Sequence, residues 1–222
     1  MRGRPLHLSQ GRRETTVANS TNMALALAEV FDLARTTAES ISRALKLAGL
    51  RSDGGKGRGA TSMSASDTFN VAVAYASGLG MTTAPAFVRS VIDMKLTDAV
   101  HYHGDTSTVW LPSSIHPKST LLGMLTQDPL PGVRIESTFG PFISGWIDGL
   151  YDEALPWKHE GELKLVIGHK GPTADLEMAW GENRLEIGFA APGVDFYQNR
   201  DWERQIVMRG DLFRKLVKII EG

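Results

Sequence analysis

The feature that most restricts the fold lies in the last third of the chain, where three short segments alternate apolar and polar residues between turn-forming sequences. Residues 162–168 read ELKLVIG, 174–180 read ADLEMAW and 184–189 read RLEIGF. A period of two puts every second side chain on the same face of a strand, so each segment can bury one face and leave the other polar. The connections, HKGP at 169–172 and GEN at 181–183, supply the glycine, proline and asparagine that tight turns require. Three strands joined this closely form an antiparallel meander. A strand around 205–208 and a helix over 211–220, with Leu212, Phe213, Leu216, Val217 and Ile220 on one side, complete an α+β unit.

Upstream the periodicity is helical. Leu25, Ala28, Val30, Phe31 and Leu33 stripe a first helix, capped by Asn19 or Ser20 and continuing to about residue 34. Ala38, Ile41, Leu45 and Ala48 stripe a second helix over 37–48, with Thr36 or Thr37 as its cap and Gly49 as its stop. Ser64 caps a third helix over 64–78, where Asp67 completes a capping box. A fourth covers 84–97, with Pro85 in its first turn and Phe87, Val88, Val91, Ile92 and Leu96 on one side. Two more candidates are LLGML within 113–126 and the stretch 141–150, where Phe142, Ile143, Trp146, Ile147 and Leu150 are available for burial. The expected fold class is α+β: a basic arm at 1–19, a helical domain at 20–97, and an α+β domain with an antiparallel meander at 98–222 that oligomerises or acts as an effector.

Charge is distributed unevenly between these parts. The net charge of −1 conceals ten Lys or Arg against five acids in residues 1–60, a local +5, which leaves −6 for the remainder. A basic front end on an acidic body suits contact with a polyanion. A membrane surface is a poor candidate for it, because the cations are not interleaved with aromatic side chains. No apolar run is long enough to span a bilayer and no secretory signal is evident, so a cytoplasmic protein is expected. The absence of cysteine removes disulfides, thiol nucleophiles and Cys-based zinc sites.

The two N-terminal helices and the turn between them resemble a bacterial or phage helix-turn-helix of the MerR-like or winged type. In that motif a small residue of the first helix, here Ala28, lets the second pack across it, and Ala38 and Ile41 face the core. Asp32 stands where many such motifs have glycine. The resemblance covers roughly the first third of the chain and implies that residues 20–97 form a helix-turn-helix DNA-binding domain. A helix of this kind enters the major groove, where outward polar side chains reach base edges and phosphates. The candidates are Arg35, Thr37, Ser40, Arg43 and Lys46, with Arg43 suited to a bidentate contact to guanine.

Two flanking segments extend this candidate surface. Arg2-Gly3-Arg4-Pro5 resembles the core of an AT-hook, whose arginines are drawn to the negative potential of a narrow minor groove. The stretch 53–59, DGGKGRG, places Lys56 and Arg58 on a glycine-rich backbone suited to phosphate contact. It lacks the Lys-Ser/Thr pair of a nucleotide-binding P-loop and no apolar strand precedes it. His101, His103 and Asp105 raise metal binding, but in a strand the two imidazoles share a face with no defined third ligand. No metal, no cofactor and no catalytic residue is therefore expected.

The chain is thus expected to be a sequence-specific, non-enzymatic transcriptional regulator. Its partners would be double-stranded DNA, a second copy in a homodimer, and a protein docking on the C-terminal domain. The alternatives are a DNA-packaging subunit like the small terminases of phages, and a phage-encoded inhibitor acting through protein contacts.

Overall fold

The computed structural model describes residues 20–52, 63–115, 133–149, 162–169, 171–194 and 205–221. Helices α1 (Ser20–Val30), α2 (Arg35–Leu47), α3 (Ala65–Ala76) and α4 (Ala84–Ile92) precede strands β1 (Lys95–His103) and β2 (Thr106–Trp110). Helix α5 (Phe139–Gly149), strands β3 (Glu162–Gly168), β4 (Thr173–Trp180), β5 (Asn183–Ala190) and β6 (Gln205–Arg209), and helix α6 (Gly210–Glu221) follow. The protein is a mixed α+β structure in which one antiparallel six-stranded sheet, ordered β2-β1-β5-β4-β3-β6, packs against helices.

The expected meander is β3-β4-β5, paired in register from Lys164 opposite Glu177 to Glu177 opposite Glu186. Alternation sorts its faces. Leu163, Leu165, Ile167, Leu176, Met178, Leu185, Ile187 and Phe189 are buried on one side, whereas Lys164, Glu177 and Glu186 project from the other. Strand β6 adds to β3, and β1 adds to β5 with a register slip between Leu96 and Asp98.

Helix α3 is the centre of the helical layer, and every residue from 67 to 75 is buried. A helix apolar all round must be surrounded, and α3 packs against α1, α2, α4, α5 and α6. Three rings carry its packing into the sheet. Phe69 of α3 meets Phe139 of α5 with centroids 5.7 Å apart, and Phe139 meets Phe189 of β5 at 5.1 Å. Close approach of α5 to α4 depends on Gly140, where an added Cβ would lie 2.9 Å from Cβ of Ile92. The result is one continuous core from Met23 in α1 to Leu216 in α6. Strand β1 carries the chain across positions 97–98, where the sequence suggests the end of the helical unit.

Several element ends differ from their sequence-based positions. Helix α1 stops at Val30 instead of about residue 34, because Asp32 is left-handed with φ 51°. Leu33 N–H then donates to Ala28 O at 2.9 Å and Asp32 N–H to Glu29 O at 3.3 Å, the paired bonds of a Schellman ending. Helix α2 begins at Arg35 with Ala34 as N-cap and no side-chain cap, so Thr36 and Thr37 lie inside its first turn and do not cap it. It ends in the same way as α1, with Gly49 at φ 69° and Leu50 N–H donating to Leu45 O at 2.9 Å. Helix α4 stops at Ile92, and Leu96 belongs to β1, where a period of two serves its burial as well as a helical period would. Residues 112–114 form a single 3-10 turn, and LLGML lies outside the described residues.

An L-residue in the left-handed region is strained unless it is glycine, asparagine or aspartate, and a β-branched side chain is the worst case. Asp32→Val is expected to cost about 1–2 kcal/mol, while Asp32→Gly leaves stability nearly unchanged. Urea unfolding of the three proteins side by side checks this.

Candidate nucleic-acid interface

Of the residues proposed for DNA contact, Arg35, Thr37, Ser40, Arg43 and Lys46 lie on α2, whose two faces are sharply divided. Ala38, Ile41, Ser42 and Leu45 are buried, a spacing of three and four that matches one side of a helix. Arg35, Thr36, Thr37, Glu39, Ser40, Arg43, Lys46 and Leu47 are exposed. Thr36, Ser40, Arg43 and Leu47 follow one another along a single outward line.

Four polar contacts from neighbouring segments hold α2 and the turn that follows it. Tyr75 of α3 donates its hydroxyl to Ala38 O at 2.9 Å, and burial pushes its phenol up to about 12, so it stays a neutral donor. Arg51 Nε donates to Ser42 O at 3.3 Å, and burial lowers the pKa of its guanidinium against the opposing pull of Asp67. Beyond the helix end, Arg89 of α4 donates to Ala48 O at 2.6 Å and Asn70 Nδ2 to Leu50 O at 2.8 Å. The Arg89 bond satisfies the carbonyl of the C-cap residue Ala48, which the helix itself leaves open. None of these four side chains stands out in the sequence as functional. Their only signal is that Tyr75, Asn70 and Arg89 lie on helices adjacent to the motif.

The exposed side chains are not equally available. Arg35 Nε lies 2.7 Å from Glu39 Oε1, an exposed i,i+4 pair of the kind worth little in water. Ser40 donates its hydroxyl back to Thr36 O at 2.8 Å and so is a weaker candidate for base readout than the sequence suggests. Arg43 is exposed and forms no ion pair among the described residues, which makes it the cation best placed to reach outward. Thr37 is exposed in the first turn, where backbone N–H groups carry no side-chain cap. Lys46 is exposed in the last turn. Arg2, Arg4, Lys56 and Arg58 lie outside the described residues.

The segment containing Lys56 and Arg58 is tied at both borders to one carboxylate. Asp67 accepts from Ser52 N–H at 2.6 Å and Ser52 Oγ at 2.8 Å, and from Ser64 N–H at 3.1 Å and Ser64 Oγ at 2.9 Å. Its own N–H donates to Ser64 Oγ at 3.1 Å, which completes the capping box expected at the start of α3.

Two other regions carry chemistry. His101 Nε2 and His103 Nδ1 each lie 3.0 Å from Asn183 Oδ1, which assigns both nitrogens as donors, and the His101 ring stacks between Trp110 and Trp180. Among the described residues, no three metal-ligating side chains gather around them or elsewhere. A cavity of about 450 Å³ is bordered by Glu162, Glu177 and Asp211 and by Lys164, Arg209 and Arg214. Equal numbers of opposite charges give it no preference for an anion or a cation. No helix among the described residues is long and apolar enough to cross a membrane. Comparison with protein-family models, curated proteins and solved structures finds no match to the chain.

Proposed function

We propose that the protein is a sequence-specific double-stranded DNA-binding regulator that acts by occupying its site, with α2 as the helix entering the major groove. The observation that carries this reading is the division of α2. One face is held by Tyr75 and Arg51, with Arg89 and Asn70 fixing the chain just beyond the helix end, and the other presents Thr37 and Arg43 to solvent, Arg43 without an ion pair among the described residues. A reading helix needs this rigidity, because base-edge contacts discriminate only when the side chains are held in register. The turn supports the helix-turn-helix resemblance as well. Asp32, at the position where such motifs favour glycine, adopts the left-handed conformation that glycine would adopt. The basic balance of residues 1–60 supplies the sequence-independent attraction. A homodimer would set two such helices about one DNA turn apart on a pseudo-palindromic site.

Selection of bound sequences from a random DNA pool, followed by a shift assay across a salt series, tests the proposal. Arg43→Ala is expected to weaken binding to the selected site by about 1–3 kcal/mol, roughly 5- to 150-fold, and to relax the preference at one base position. Replacing Lys56 and Arg58 together should weaken binding to all sequences alike and reduce the salt slope by about 2. Recovery of no enriched sequence, with no binding at low salt, would sink the reading.

A further inference from the structure

We propose that β2 is a dimerisation strand, to which the β2 of a second copy of this chain adds antiparallel about a two-fold axis at Val109. This stands independently of the DNA-binding reading. Strand β2 is the outermost strand of the sheet, and among the described residues it pairs only with β1. An edge strand presents a row of unpaired N–H and C=O groups, and proteins that must avoid self-pairing guard such an edge with charge, proline or a bulge. Residues 106–111, Thr-Ser-Thr-Val-Trp-Leu, contain neither a charged residue nor a proline, and their register with β1 is regular. Val109 is 57% exposed and Leu111 56%. The opposite edge is guarded: β6 ends in the exposed Arg209 and turns at once into α6.

The occupant follows from charge and from backbone direction. About a two-fold axis at Val109 that residue meets its own copy and Thr108 meets Trp110, so a charge at the axis would face its own kind; position 109 is apolar and 106–111 carry no charge. The hairpin between β1 and β2 closes through the two residues Gly104 and Asp105, which makes His103 and Thr106 its hydrogen-bonded pair. Pairs alternate along an antiparallel ladder, so the backbone groups of Ser107 and Val109 point away from β1. An axis at Val109 joins those outward groups to their copies and sets Ser107 opposite Leu111. The exposed Val109 side chains are then buried against each other, and a single sheet runs through both copies.

The full chain should show twice its monomer mass by light scattering, falling to one with dilution. Val109→Lys and Val109→Glu should each be monomeric with an unchanged far-UV circular dichroism spectrum. Their equimolar mixture should recover a one-to-one dimer, because lysine now faces glutamate across the axis. Val207→Lys, on the other edge, should leave the dimer intact. Amide exchange of the unsubstituted protein gives a readout that needs no variant: the Ser107 and Val109 N–H groups should become protected as concentration rises. A monomer up to the solubility limit, a Val109→Lys dimer, a mixture that stays monomeric, or exchange at these amides that ignores concentration would each overturn the proposal.

Discussion

Replacing Phe139 by alanine is expected to lower the stability of the whole molecule by about 3–5 kcal/mol, the usual cost of emptying a large aromatic site in a packed core. Its ring is completely buried and lies between Phe69 of α3 and Phe189 of β5, so the loss falls on the contact that joins the helical layer to the sheet. Domains of this size have total stabilities of roughly 5–15 kcal/mol, which makes the loss a large fraction of the whole. Phe139→Leu keeps most of the volume and should cost about half as much. Urea unfolding followed by far-UV circular dichroism and by tryptophan fluorescence should give one coincident transition for both variants, since the core is continuous from Met23 to Leu216. Two separated transitions would show that the helices and the sheet unfold as independent units, with a boundary near residue 97.

The contrast between β1 and the meander shows what could be read from the sequence. In β3, β4 and β5 one face is buried and the other polar, so burial leaves a plain alternation in the residues. Strand β1 lacks that signature. Its register slips between Leu96 and Asp98, Asp98 is itself buried, and His101 is half-buried between two tryptophans. A bulge shifts the period by one residue, and the remaining apolar positions then also fit the end of a helix. Strand β2 is hidden for a different reason. It is exposed along most of its length, and without a buried face there is no pattern to detect.

The helical half shows the same division. Apolar spacing places α2 and its buried face correctly, because Ala38, Ile41 and Leu45 must all point inward. The start of α2 is not encoded by a capping side chain at all. Ala34 occupies the N-cap, and the two threonines that could have capped the helix lie one and two residues inside it. Of the candidate contact residues, composition and spacing select the exposed set, but only the coordinates separate Arg43 from Arg35, which is held by Glu39, and from Ser40, whose hydroxyl bonds its own helix.

Asp67→Ala is expected to have the second largest effect, a loss of about 2–4 kcal/mol. Removing a capping side chain costs about 0.5–2 kcal/mol. The remainder comes from the hydrogen bonds that the exposed Ser52 and Ser64 lose to this buried, charged acceptor, about 1–3 kcal/mol together. Four donors converge on this carboxylate, from the backbone and hydroxyl groups of Ser52 and Ser64. Asp67→Asn should fall between the two proteins, because the amide keeps one acceptor oxygen but turns an N–H₂ group toward donors. The consequence for function is separable from that for stability. Ser52 and Ser64 border the segment carrying Lys56 and Arg58, whereas Arg43 sits on a helix that Tyr75 holds through Ala38 O. If those two cations act as proposed, Asp67→Ala weakens binding to every DNA sequence by a similar factor and leaves the ratio of specific to non-specific affinity unchanged. Shift assays on selected and scrambled sites, run well below the melting temperature of the variant, distinguish the cases. A change in that ratio would mean that Asp67 positions α2 itself.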